Sequence, residues 1–184
     1  MELVLFLQLF IIRPTLQYLE PEIPWSLAAE QLLLGTAAQE SHLGHLTGGK
    51  RDLRMYQMEA ATEKDIWINY LAFNSPLAVK VATLGDIDER YYAAALVRVH
   101  YWRTMRDGRE TALFDIYNKT VDPARVWKKF YNTSKGKGTR RQFIDNYRRL
   151  VQGRLAIPLV RQSSSQASLS YVPDGLGLGS AGTR

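Results

Sequence analysis

A mainly α-helical domain, interrupted by one small loop or hairpin region and followed by a flexible tail, is the fold class that the sequence predicts. Helix-capping residues recur ahead of apolar runs along residues 1–157. In the segment 88–105, Tyr92, Leu96, Val99 and Trp102 follow at steps of four, three and three, the spacing of one helix face. Between Gly44 and Met58 this regularity breaks into a stretch rich in glycine and charge, with no helical period. At 184 residues the chain is long enough for one substantial core and short for two.

Residues 1–12 are apolar apart from Glu2 and Gln8, but they fall well short of the roughly twenty residues that cross a bilayer, so no membrane span is expected. Glu2 stands where a signal peptide would carry a basic residue and Arg13-Pro14 where it would carry small ones, which favours a buried first helix. After Pro24 and Trp25, Ser26 is placed to cap a helix that runs to Glu40. Thr62 with Asp65 three residues on, Ser75 before Pro76, Asp122 before Pro123, and Thr139 before residues 140–150 mark four further helix starts. Beyond Pro158, Ser163, Ser164, Ser165 and four glycines between 175 and 182 leave too little apolar surface to offset the entropy of ordering. The expected organisation is therefore a domain over residues 1–157 and a flexible tail over 158–184.

A formal net charge of +6 and a pI near 9.6 favour polyanionic partners: nucleic acid, anionic membrane surfaces or the acidic polymers of bacterial cell walls. The absence of cysteine excludes disulfides and thiolate metal sites. His42 and His45 alone fall short of the four ligands of a structural zinc site, so no metal is expected. The basic stretch 135–141 lacks the ordered spacing of a phosphate-binding loop. Trp102, Trp127, Tyr131 and Phe143 lie near basic residues, but at helical spacing that suits core packing better than base stacking.

Ala29, Leu33, Ala37 and Glu40 follow one another along a single helix face, so a carboxyl group continues an apolar stripe at the helix C-terminus. Burial and the negative end of the helix dipole both disfavour the carboxylate. An acid that stays protonated near neutral pH is what a general acid for glycosidic cleavage requires. Read in isolation, a solvated surface glutamate is the commoner outcome for such a residue.

Glu40 has company further along. The segment Ala38-Gln39-Glu40-Ser41, followed by Met55-Tyr56-Gln57-Met58-Glu59-Ala60-Ala61-Thr62, resembles the lysozyme-like lytic transglycosylases. In that family a helix ends in a Glu-Ser pair, and a glycine-containing loop leads to Gly-Leu-Met-Gln and a Pro-x-Thr helix start. Here Arg54-Met55-Tyr56 stands where the family shows Gly-Leu-Met, and Ala60 where it shows Pro. The family's Tyr-Asn pair near a glycine has two counterparts, Tyr117-Asn118 and Tyr131-Asn132. The second is preferred because it closes the helix 123–130 and runs toward Gly136 and Gly138.

The resemblance covers residues 26–150 and implies an α+β lysozyme-like fold with the loop region lining a cleft. It implies that Glu40 protonates the glycosidic oxygen between N-acetylmuramic acid and N-acetylglucosamine, then acts as base toward the muramyl 6-hydroxyl to give a 1,6-anhydro product. It further implies peptidoglycan as the partner, with Ser41, Gln57, Tyr131 and Asn132 binding substrate and no cofactor or metal taking part. Hydrolysis by water would call for a second carboxylate, for which Asp52 is the best placed, ahead of Glu59 and Asp65. With no signal peptide read at its start, and with the family occurring in bacteriophages, the chain is expected to be virion-associated. It would open the cell wall during genome delivery and touch other virion or tail proteins. The competing reading is a non-enzymatic virion or tail structural protein of the same fold, whose basic surface contacts DNA or protein.

Overall fold

The computed structural model describes residues 2–44, 55–107, 123–132 and 136–152. They are mainly helical, with no strand among the described residues. The order is α1 (Leu3–Phe6), a π-helical stretch (Leu7–Ile12), α2 (Arg13–Tyr18), α3 (Leu27–Ser41), α4 (Ala60–Asn69), a 3₁₀ turn (Leu71–Phe73), α5 (Ser75–Ile87), α6 (Glu89–Asp107), α7 (Pro123–Phe130), α8 (Arg140–Tyr147) and a second π-helical stretch (Arg148–Gln152). The hairpin expected between Gly44 and Met58 falls mostly on residues 45–54, outside the described residues. Also outside them are Asp52, His45, the Tyr117-Asn118 pair, Asp122 and the tail 158–184.

The first apolar run forms a helix as expected, buried along one face through Val4, Leu7, Ile11 and Ile12, and it continues through Pro14 to Tyr18. Proline supplies no N–H, and its ring clashes with the carbonyl four residues back in a regular α-helix. The chain answers with a wider turn just before it, in which the Arg13 N–H reaches the Gln8 carbonyl five residues back. A buried carboxylate ties this rod to α3. Glu30 accepts from Arg13 Nε at 2.7 Å and Nη2 at 3.0 Å, from Gln8 Nε2 at 3.0 Å and from Trp25 Nε1 at 2.6 Å.

Ser26 caps α3 by accepting the Ala29 N–H at 3.1 Å. Thr139 and Gln142 form a reciprocal capping box at the start of α8. Two starts differ from expectation. Helix α4 begins at Ala60 with Glu59 as its cap, so Thr62 already lies within the first turn, its N–H on the Glu59 carbonyl at 2.9 Å. Ala60 and Ala61 are strong helix formers, and they extend the helix ahead of the threonine. Likewise Asn74 caps α5 and Ser75 is its first residue.

Helix α6 is the centre of the fold, and residues 93–99 are buried without a break. Ala93, Ala94, Val97, Tyr101 and Met105 face a core shared with α3, α7 and α8. Ala95, Leu96 and Val99 face a second core built from α4, α5 and the Leu71 turn. Each fully buried Leu or Val in these cores contributes about 1.5–3 kcal/mol. Close approach of α8 to α3 depends on Gly35, where a Cβ would stand 2.9 Å from Phe143 Cε1 and closer still to the ring tip. Phe143 in turn packs against Trp127 of α7, with ring centroids 5.4 Å apart.

Candidate functional site

The manner in which α3 ends fixes the site. His42 (φ 52°) and Leu43 (φ 63°) both take left-handed backbone before Gly44 (φ 90°), and the Leu43 N–H returns to the Ala37 carbonyl at 3.0 Å. Such backbone costs a non-glycine residue about 1–3 kcal/mol and persists only where neighbours over-determine it. Here Leu43 is buried, and Ser41 Oγ accepts the Gly44 N–H at 2.8 Å while standing 2.7 Å from the Met55 carbonyl and 3.2 Å from that of Ala37. Ser41 is 0% exposed. Ser41, expected on the substrate, thus stands buried among backbone groups. The hydroxyl is engaged by backbone, and it acts as a clip that brings Gln57, two residues beyond Met55, alongside Glu40.

A cleft of about 570 Å³ opens at this point. Glu40 lines it from α3, Gln57 and Glu59 from the turn before α4, Thr62 from α4, His100 from α6, and Tyr131, Asn132 and Gly136 from the segment after α7. Four of the five expected residues, Glu40, Gln57, Tyr131 and Asn132, thus share one cleft although they come from three separate parts of the chain. Gln57 is exposed and has left-handed backbone (φ 48°), a third non-glycine residue so held at the site.

Two glutamates of α3 show what environment does to a carboxyl group. Burial would raise Glu30, but the hydrogen bonds from Arg13, Gln8 and Trp25 together outweigh it, and Glu30 is held below the usual carboxylate range. Glu40 has a single hydrogen bond among the described residues, from Trp127 Nε1 at 2.8 Å, and no cation beside it. Burial pushes it above the usual range and the indole N–H offsets only part of that rise. Glu30 is a structural anion, whereas Glu40 is a carboxyl group whose ionisation is opposed by its surroundings.

Beneath Glu40 lies a layer of phenols. The Tyr131 hydroxyl donates to the Tyr56 carbonyl at 2.6 Å, and its ring lies 5.5 Å from that of Tyr101. The Tyr101 hydroxyl meets Thr36 Oγ1 at 2.8 Å. Burial above all, with the charge of Glu40 added, holds Tyr101 and Tyr131 well above the ordinary phenol range, so both stay neutral. Tyr131 accordingly braces the cleft floor rather than acting as an acid. His100 Nε2–H donates to the Phe130 carbonyl at 2.9 Å, and its ring meets that of Tyr131 edge-on at 5.6 Å. Burial pulls His100 below its ordinary value, so the ring is neutral near pH 7.

Asn132 is set by Lys128, one turn earlier on α7. Lys128 Nζ donates to Asn132 Oδ1 at 2.7 Å and to the Gly136 carbonyl at 2.8 Å. The loop fits so closely that a Cβ on Gly136 would stand 2.7 Å from Asn132 Cγ, and one on Gly138 would stand 2.6 Å from Trp127 Cη2. Lys128 thereby fixes the orientation of the Asn132 amide, a residue of the cleft lining.

Trp127, His100 and Lys128 were not expected at the site. Trp127 and His100 stand in apolar helix runs that read as core, and the Trp127 to Glu40 contact spans 87 positions, beyond any local pattern. No group of three His, Asp or Glu among the described residues is arranged to hold a metal ion. No described helix is long and apolar enough to cross a membrane. Compared with protein-family models, with curated proteins and with solved structures, the chain finds no match.

Proposed function

We propose that the chain is a lytic transglycosylase of lysozyme-like fold that cleaves peptidoglycan between N-acetylmuramic acid and N-acetylglucosamine. The observation that carries this reading is Glu40, a cleft-lining carboxyl group whose ionisation is opposed by burial and whose hydrogen bond among the described residues comes from the neutral Trp127 indole. In the first step Glu40 gives its proton to the glycosidic oxygen as the bond from C1 to that oxygen breaks, and the N-acetylglucosamine side leaves as its alcohol. The resulting carboxylate is held by the Trp127 N–H. It then takes the proton of the muramyl 6-hydroxyl while O6 bonds to C1, which closes the 1,6-anhydro ring and restores the acid. One residue serves both steps because the product of donation is the base the second step needs. Gln57 and the Asn132 amide supply hydrogen bonds to the sugar's acetamido and hydroxyl groups.

Purified sacculi digested by the wild type are expected to release 1,6-anhydro muropeptides, and Glu40→Gln to release none. Absence of release by both proteins would overturn the enzyme reading in favour of a structural protein. Reducing-end products would identify a hydrolase and direct attention to a second carboxylate, Glu59 on the cleft wall or Asp52. A bacteriophage virion is the proposed setting, tested by detecting the chain in purified particles.

A further inference from the structure

Charge is segregated within the described residues. Residues 123–132 and 136–152 carry eight Lys and Arg against one Asp, while residues 2–44 and 55–107 carry seven Lys and Arg against twelve Asp and Glu. The basic unit is α7, α8 and the described residues between them. Lys137, Arg140, Arg141, Arg148 and Arg149 are exposed, Arg141 to 92% of its side chain. This unit also builds the cleft. Lys128 sits at the rim on Asn132 and Gly136. At the other end Arg149 Nη2 donates to Asn146 Oδ1 at 3.0 Å, and Asn146 Nδ2 donates to Gln39, the neighbour of Glu40, at 3.0 Å.

We infer that the α7–α8 face is a second binding surface, which holds the carboxylate groups borne along a glycan strand while the strand's neutral sugars occupy the cleft. The inference rests on the substrate proposed above and adds an electrostatic anchor to it. A sparsely charged polymer fits better than nucleic acid for two reasons. The cleft wall carries Glu59, which opposes a phosphate at every residue of a strand. Of the aromatics of the basic unit, Trp127 and Phe143 are 0% and 1% exposed and Phe130, Tyr131 and Tyr147 are half-buried, so none stands free as an exposed stacking platform for bases.

The test is co-sedimentation with purified sacculi of the full-length Glu40→Gln protein, which is expected not to cleave them. Probes are native sacculi, sacculi whose carboxyls have been coupled to an uncharged amine, and duplex DNA. The protein should sediment with native sacculi and lose about tenfold in affinity on the blocked sacculi or in high salt. Adding Arg141→Glu/Arg148→Glu should lose a similar factor on native sacculi and leave binding to blocked ones unchanged, with an unchanged circular dichroism spectrum. Equal retention on native and blocked sacculi, or full retention after the two arginine changes, overturns the inference. Tighter binding to DNA than to native sacculi at equal charge concentration also overturns it and reassigns the face to nucleic acid. Because Glu40→Gln is expected to bind, a failure here is distinct from a failure to cleave.

Discussion

Trp127→Phe removes the hydrogen bond that Glu40 receives among the described residues while keeping an aromatic ring against Phe143. A hydrogen bond to a charged acceptor contributes about 1.5–3 kcal/mol. Glu40 is only partly buried, which discounts this to the lower end and amounts to about a tenfold tilt in its ionisation equilibrium. The sign follows from what the bond favours. The N–H stabilises the carboxylate, so its loss favours the neutral acid and moves the Glu40 titration to higher pH. The direct assay is a ¹³C NMR titration of the Glu40 carboxyl in both proteins, which requires no activity. In the cleavage assay the alkaline limb of the kcat/KM profile should move the same way, since the first step needs the protonated acid. Cleavage at the pH optimum should fall as well, because the carboxylate formed after proton donation loses its donor. A Glu40 titration that stays in place, or moves to lower pH, would refute the role assigned to Trp127.

Glu40→Gln should raise the melting temperature at pH 8 and leave it nearly unchanged at pH 4. A carboxyl whose titration is raised by folding destabilises the fold only once it is ionised; an equal loss at both pH values would contradict this. Arg13→Met should cost about 2 kcal/mol at pH 7 in urea unfolding, below the roughly 3–5 kcal/mol of a fully buried pair because Arg13 is about one-third exposed. Glu30 is held low in the folded state, so the stability from this pair is present above the ordinary glutamate range and is lost as pH falls through the Glu30 titration. The difference between the two proteins should shrink accordingly in acid. Gly35→Ala should destabilise by about 1–2 kcal/mol in the same measurement, since overpacking against Phe143 outweighs the better helix propensity of alanine. Lys128→Met should raise KM with little change in kcat by freeing the Asn132 amide to turn, and Lys128→Arg should restore part of the loss.

What was legible in the sequence was what local chemistry decides. Ser26 and Thr139 announce their helices because a capping hydroxyl needs only the next three residues. The periodicity of 88–105 announces α6, and the apolar stripe ending in Glu40 announces a carboxyl in an unusual place. Contacts that cross the chain were not legible. An indole in an apolar stripe has the same sequence signature whether its N–H meets a carboxylate or a carbonyl, so Trp127 read as core, which it also is. The burial of Ser41 was illegible for the converse reason. Its place after Glu40 is visible in the sequence, but the backbone groups that consume its hydroxyl are brought to it by the left-handed turn. Glu30 drew no notice because its partners, Arg13 and Gln8, lie 17 and 22 positions away on another helix.

Membership of α6 in both cores has a kinetic consequence. The amides of residues 93–99 can exchange with solvent only when packing on both sides is lost, so their protection should approach the global unfolding free energy. His100, which lines the cleft, follows this doubly packed stretch by one residue. The cleft wall on α6 is thereby anchored to the part of the chain that is last to open, so the position of that wall should outlast local fraying elsewhere in the fold.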